Sequence, residues 1–425
     1  MTKSFVVLGS ANGSRNLGDE CMWESLVGFL RATFPDCHIV TDGKPDWDPP
    51  IEKVTVLPTL AVAMKIDPAK HPKLATVLGR TVVGRALSRF NRARRVRRLV
   101  LDRLRYGPRT DLEKQWQNAV ATADAFLVSG AGAMTDQYDV QGIHSWHLLA
   151  SWAKEHSKPV LLLGQGVGPV EKKTNRIALG ELLAIADYVG VREERSRDYA
   201  LELQAHIPHI EVTPDWAAGL RMTAVARAKA AAIRAELLSS EPYFAVSLHL
   251  HQPWAFLRRR KLMAMTRLIA IEAERRNRRL LFVPNMTGQG HSDDRRLAQQ
   301  LIDALPDALA NRCAIHSGQS DALVVRALIA SSTGIISTRY HPLVFALMER
   351  TPAVGIYFDD YYERKLVGAF KAAEVRSNVF PFTRNAAGVG VWFDRLEALD
   401  VKETDPEEIE AALFTPVRLL LCQSE

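Results

Sequence analysis

Cysteine is scarce in this chain. Cys21, Cys37, Cys313 and Cys422 are the only four in 425 residues, and none stands in a CxxC or zinc-type spacing. That argues against a disulfide-stapled scaffold and a cysteine-ligated metal centre, and fits reduced thiols in a cytoplasmic protein. Long apolar runs are missing too. No stretch approaches the roughly 18 apolar residues that a bilayer span requires. The N-terminus offers only the short run Phe5 to Leu8 before glycine and polar residues, less than the apolar region of a signal peptide. The expected location is therefore cytoplasmic, at most peripheral at the inner face of the cell membrane. No internal repeat, low-complexity tract or GxGxxG fingerprint stands out.

Short β-branched and leucine-rich runs alternate with helical patterns along most of the length. In the first half the candidate strands are Ser4–Leu8, His38–Thr41, Val54–Leu57, Ala125–Ser129, Val160–Leu163, Tyr188–Val191 and Glu211–Thr213. Those of the second half are Phe244–Leu248, Leu280–Val283, Cys313–His316, Gly334–Ser337 and Ala353–Ile356. Strands interleaved with helices predict parallel, doubly wound sheets. The alanine-rich helix expected over Thr223–Leu238 separates the two series. The expected organisation is an α/β chain of two Rossmann-like domains facing a cleft. Residues 1–225 form the first, with a basic helical insertion at about 60–116, and residues 240–425 the second, with C-terminal helices.

Formal charge is +7, and much of the excess lies between Arg80 and Arg109, where arginines abound and Asp102 is the only acid. Apolar residues there recur at helical spacing, which predicts a basic amphipathic helix or a pair of them. Two readings stand side by side: a solvated insertion whose arginines pair with acids elsewhere, and contact with an anionic membrane surface or phosphorylated lipid. Nucleic acid is set aside as a partner, since aromatics able to stack on bases are nearly absent.

Chemistry-bearing residues collect at expected strand ends. Thr338-Arg339-Tyr340-His341 reads as an exposed segment before a helix opened by Pro342, where a guanidinium, a phenol and an imidazole meet a helix N-terminus. Such a place favours a phosphate or carboxylate. After the first strand comes Asn16-Leu17-Gly18-Asp19-Glu20, whose two acids are either helix-cap residues or site residues. Gly130-Ala131-Gly132 and Gly164–Pro169 read as tight turns that either connect elements or offer backbone N–H groups to an anion. Arg192 closes another strand before a helix expected to be capped by Ser196, and Asp215, at the end of the next strand, either holds that arginine in place or caps a helix. His249 and His251, and His291 with Asp293 and Asp294, follow later strands. Their pattern suits substrate hydrogen bonding better than zinc, and a helix cap explains Ser292 and Asp293 equally well.

Taken in order, these segments resemble the polysaccharide pyruvyl transferase family. The resemblance rests on Asn16-Leu17-Gly18-Asp19-Glu20, Gly130-Ala131-Gly132, Gly166-Val167-Gly168-Pro169, Arg192-Glu193 with Ser196, Pro214-Asp215 and Arg339-Tyr340-His341, and covers about residues 4–370. Ala131 departs from the third glycine expected in its turn. The resemblance implies a GT-B-like fold and transfer of the enolpyruvyl unit of phosphoenolpyruvate to a sugar, giving a pyruvate ketal and phosphate. It implies a glycan or lipid-linked oligosaccharide of the cell surface as acceptor, and phosphoenolpyruvate as donor with no further cofactor and no metal. Arg192, Arg339 and His341 correspond to the family's donor-binding residues. His341 is the candidate acid, and Asp19 or Glu20 the candidate base. Asn16, Gly18, Gly130, Gly132, Tyr340, His249 and His291 are candidate substrate contacts. Two alternatives remain: a GT-B glycosyltransferase using a nucleotide sugar, for which Glu363 is a poor ribose-reading acid, and a non-enzymatic scaffold on a membrane surface.

Overall fold

A computed structural model describes residues 2–9, 15–44, 47, 49, 51–64, 82–249, 255–288, 293–317, 321–399, 401 and 405–422, with residues 82–92 and 255–258 described by backbone alone. His251, His291, Ser292 and Arg80 fall outside the described residues. The chain divides into two compact units. The first comprises Met1–Gly13, Met22–Trp216 and Glu410–Glu425, and the second Ser14–Cys21 and Ala217–Ile409.

In the first unit, short apolar runs become the strands β1 (Ser4–Leu8), β2 (His38–Gly43), β3 (Val54–Pro58), β4 (Ala125–Val128), β5 (Ala131–Met134), β6 (Val160–Val167), β7 (Tyr188–Val191) and β8 (Ile210–Val212). They pair in the order β3-β2-β1-β4-β6-β7-β8, with β5 added beside β6, and every pairing is parallel. Covered on both faces, the central strands β1, β4, β6 and β7 show no polar alternation and are almost wholly buried. The core packs Val6, Leu8, Phe126, Val128 and Leu162 against helix tryptophans Trp116, Trp146 and Trp152.

The second unit repeats the plan with β9 (Tyr243–Ser247), β10 (Arg279–Phe282), β11 (Cys313–Ile315), β12 (Ile335–Ser337), β13 (Ala353–Tyr357) and β14 (Val379–Pro381). Their order is β11-β10-β9-β12-β13-β14, again all parallel. Phe244, Val246, Phe282, Ile336 and Val354 meet Trp392 and Phe393 in its core.

Three local expectations need correction. Gly130-Ala131-Gly132 is not a tight turn, because Ala131–Met134 runs on as β5. Gly164 and Gly166 lie inside β6 rather than after it. The strand passes Gly164 through a bulge, at φ +62°, a conformation that glycine adopts without strain. Strand β14 had no counterpart among the expected strands, since Val379-Phe380-Pro381 is short and ends in proline.

The arginine-rich segment forms one helix over Val82–Tyr106. Among the described residues no helix is long and apolar enough to cross a membrane.

Candidate functional site

Strand order in the second unit reverses between β9 and β12, and in open parallel sheets ligands bind beyond the carboxyl ends at such a point. His249 follows β9 there, and Arg339 follows β12. Arg339 is the N-cap of helix Tyr340–Met348, with extended backbone and no side-chain cap bond. Ser337 fixes the turn, its Oγ accepting the Arg339 N–H at 2.9 Å. Tyr340 and His341 are thus the first two helical residues, and Pro342 is the third, inside a first turn whose N–H groups need no helical partner. The expected exposed Thr-Arg-Tyr-His is in fact largely buried: Thr338, Tyr340 and His341 are 1%, 6% and 5% exposed. The helix begins two residues earlier than proline suggested.

A network ties this turn to the N-terminal motif. Arg339 Nη2 donates to Asp294 Oδ1 at 2.5 Å. The other oxygen of Asp294 accepts the backbone N–H groups of Asn285 and Met286, at 3.0 and 2.8 Å. Asn285 in turn donates its amide to Asn16 Oδ1 at 3.0 Å, and its carbonyl accepts the Leu17 N–H at 2.9 Å. Asn16 also donates to Asp19 at 2.8 Å, while Glu20 Oε1 accepts the Arg15 N–H at 2.8 Å. Next in the chain, Gly18 lies against the His341 ring so closely that an added Cβ would stand 1.9 Å from Cγ and Nδ1. Only glycine fits there. His249, 5% exposed, hydrogen-bonds Thr338 Oγ1 through both its backbone N–H (2.9 Å) and Nδ1 (2.8 Å), and its ring packs on Tyr362 at 4.8 Å. Lys365 sits over the Tyr340 ring, 5.3 Å from its centre.

The first unit has its own polar sheet edge. Arg192 directly follows β7, is 2% exposed, and places Nη1 3.5 Å from Asp215 Oδ2. Gly166 of β6 leaves room for this guanidinium, since a Cβ there would meet Nη2 at 3.0 Å. The following helix, Glu194–Leu203, has Glu193 rather than Ser196 at its N-cap position, with no side-chain cap bond. Ser196 instead accepts the Val167 N–H at 2.9 Å and donates to Glu193 at 2.9 Å, joining β6 to the helix start. Gln165 is fully buried, with its amide donating to the carbonyls of Val128, Ser129 and Leu163. Gly130 packs against Met22, whose sulfur would lie 2.4 Å from an added Cβ. At the end of β2, burial pushes the Asp42 carboxyl up to about 7, although it accepts the Gly9 N–H at 2.8 Å.

The sequence pattern of the polysaccharide pyruvyl transferase family matches residues 16–360. The chain belongs to that family. No curated protein matches it in sequence. Among solved structures it is similar to UDP-GlcNAc 2-epimerase from Methanocaldococcus jannaschii, at 14% identity and TM-score 0.59, with 99% of each chain covered. The Neisseria meningitidis UDP-GlcNAc 2-epimerase bound to UDP-GlcNAc gives 13% identity and TM-score 0.56, over 99% of this chain and all of that one (100%). UGT71G1 from Medicago truncatula, complexed with UDP-glucose, gives 10% identity and TM-score 0.53, covering 100% and 98%. At these identities the likeness concerns the fold, which is GT-B-like.

Within this family member, the second unit brings together Asn16, Gly18, Asp19, Glu20, His249, Arg339, Tyr340 and His341. Arg192, Gly130 and Gly132 belong to the first unit. Asp294 is the residue that sequence reasoning undervalued. In sequence it stands beside His291 and Asp293 as part of a substrate-contact set, and Asp293 does cap the helix Asp294–Ile302, accepting the Arg295 N–H at 2.9 Å. Burial favours the neutral Asp293 acid, but hydrogen bonds from Arg295 outweigh it and hold that carboxyl below the usual range. Asp294 turns the other way, to Arg339. Nothing local announces this, because its partner lies 45 positions away.

Proposed function

We propose that the protein transfers the enolpyruvyl group of phosphoenolpyruvate to a sugar of a cell-surface or exopolysaccharide glycan, free or lipid-linked, in the cytoplasm. The observation that carries this reading is the pairing of Arg339 with His341 at the start of one helix, at the reversal point of the second sheet. A fixed guanidinium, a helix N-terminus and an imidazole suit a donor that is a dianionic phosphate with a carboxylate. Asp294 holds the Arg339 fork in one orientation, so little ordering remains when the anion arrives.

In the proposed reaction, His341 gives a proton to the methylene carbon of phosphoenolpyruvate, which becomes a methyl group. Carbon 2 turns electrophilic and a sugar hydroxyl adds to it, losing its proton to a base. A second hydroxyl then displaces phosphate and closes the ketal, and its proton leaves with the phosphate. Asp19 is assigned as the base in preference to Glu20, whose carboxylate braces the Arg15 turn. Arg192 is assigned an anionic group of a substrate, and His249 and Tyr340 hydrogen-bonding contacts. The scheme uses no metal and no cofactor beyond the donor substrate.

Phosphate release tests it. Purified protein given phosphoenolpyruvate is expected to release phosphate only when a suitable glycan is present, with no added metal and in the presence of a chelator. UDP-GlcNAc, to which the Neisseria epimerase is bound, serves as the control donor. Transfer of GlcNAc to the glycan with release of UDP, phosphoenolpyruvate being inert, would support a nucleotide-sugar glycosyltransferase instead. Loss of activity in chelator, restored by a divalent ion, would remove the metal-free scheme.

Arg339→Lys tests the geometry of the same site. It keeps the charge but loses the planar fork. The expected result is a fall in kcat/KM of roughly ten- to a hundredfold, carried largely by KM for phosphoenolpyruvate, as befits a binding contact. An unchanged KM would remove Arg339 from the donor site.

A further inference from the structure

The helix Val82–Tyr106 is untouched by the chemistry proposed above, and its two sides differ in kind. Ala93, Val96 and Val100 are buried on the inner side. Arg97 grips both oxygens of Glu181, at 2.7 and 2.6 Å, and Arg103 pairs with Glu113 and Asp102, each at 2.9 Å. Arg109, just past the helix, also reaches Asp102 at 2.9 Å. These guanidiniums serve the fold, and to that extent the solvated-insertion reading holds.

The outer side carries Arg94, Arg95, Arg98 and Arg105, all exposed. Positions 94, 98, 101 and 105 follow helical spacing and share one face. Leu101 and Tyr106 stand among them 47% and 64% exposed. Among the described residues no carboxylate pairs with Arg95, Arg98 or Arg105. Beside this face lies a cavity of about 520 Å³ whose lining includes Met64, Leu99, Arg95 and Arg98, together with Arg103 and the two acids it already pairs with, Asp102 and Glu113.

We infer that this face docks on the anionic lipid surface of a membrane, with a phosphate headgroup between Arg95 and Arg98 and hydrocarbon against Leu99 and Met64. Charge complementarity sets the sign of the partner. Exposed apolar groups among the arginines set its kind, because a basic helix carrying outward leucine and tyrosine can place them at the headgroup boundary. A free phosphate has no use for an apolar cavity wall. Nucleic acid would call for several stacking aromatics, and Tyr106 is the one on this face among the residues whose side chains are described. The inference is independent of the donor chemistry at Arg339, so either can fail alone.

Co-sedimentation with vesicles tests it. The full chain is expected to bind phosphatidylcholine vesicles containing phosphatidylglycerol and to ignore phosphatidylcholine alone. The double variant Arg95→Gln with Arg98→Gln should lower that partitioning roughly 30-fold, and high salt should do the same. A matched double variant, Arg376→Gln with Arg384→Gln, removes equal charge from exposed positions of the second unit and should bind as the parent does. Leu101→Ser should weaken vesicle binding without altering net charge. All substituted positions are exposed, and unchanged circular dichroism melts confirm folding. Parent-like binding by the Arg95/Arg98 variant, equal binding to neutral vesicles, or tighter binding to an RNA or DNA duplex than to the anionic vesicles would each overturn the inference.

Discussion

Replacing His341 by alanine is expected to leave a folded protein whose turnover falls by roughly 10²–10⁴, the range usual for losing a positioned acid or base. The expectation follows from placement. His341 is the second residue of its helix, held by burial, by Gly18 on one side of the ring, and by Tyr340 and Phe345 at 5.2 and 6.3 Å. A proton donor fixed in this way loses little entropy in the transition state. Truncation to alanine also leaves a void, costing about 1–3 kcal/mol by the lower range for core truncations. His341→Asn is the companion variant, because it fills more of the space and can hydrogen-bond but cannot act as an acid near neutral pH. Phosphate release and thermal melting, measured together, separate the effects. Both variants should lose turnover alike, while Asn melts closer to the parent. Near-parental rates in either would reduce His341 to a packing residue.

The strands of both units were legible where burial on two faces wrote continuous apolar runs, as in Phe5–Leu8 or Ala353–Ile356. Glycine hid β5 and the end of β6. Ala131–Met134 and the end of β6 look like turns in sequence because glycine is the usual mark of one. Here small residues let Gly164 adopt a positive φ beside Trp216, and let Gly166 admit the Arg192 side chain. Proline misled in a similar way. Pro342 suggests a helix beginning at itself, yet any position of the first turn tolerates a missing N–H, and two further residues precede it. At the site, the residue types at strand ends could be read singly, since arginine, histidine and asparagine outside an apolar run are conspicuous. Their mutual arrangement could not. The path from Arg339 through Asp294 and Asn285 to Asn16 joins segments hundreds of positions apart, with 269 between Asn285 and Asn16 alone. Helix periodicity gave the basic segment its shape, but not which arginines face Glu181 and Glu113 and which face outward. That division depends on where the neighbouring acids fall in three dimensions.

Gly18→Ala is expected to be nearly as damaging to turnover as removing His341, and its interpretation rests on the sign of a second substitution. Gly18 lies in the first turn of the helix Leu17–Thr33, where alanine would ordinarily stabilise by up to about 1 kcal/mol. The site reverses that gain. An added methyl would stand 1.9 Å from the root of the His341 ring, so the ring has to leave its position or the helix has to back away. Neither is cheap when His341 is 5% exposed and the same short segment is hydrogen-bonded to Asn285 through both Asn16 and Leu17. Overpacking of this kind costs about 1–3 kcal/mol, and a displaced acid no longer reaches its carbon. The double variant Gly18→Ala with His341→Ala supplies the test. With the ring gone, the methyl enters the vacated space, so alanine at position 18 should become neutral or stabilising. Melting of the two single variants and the double variant should therefore depart from additivity by about 1–3 kcal/mol, as contacting residues do. Additive losses would mean that Gly18 and His341 act separately, and the N-terminal motif would have no part in holding the proposed acid.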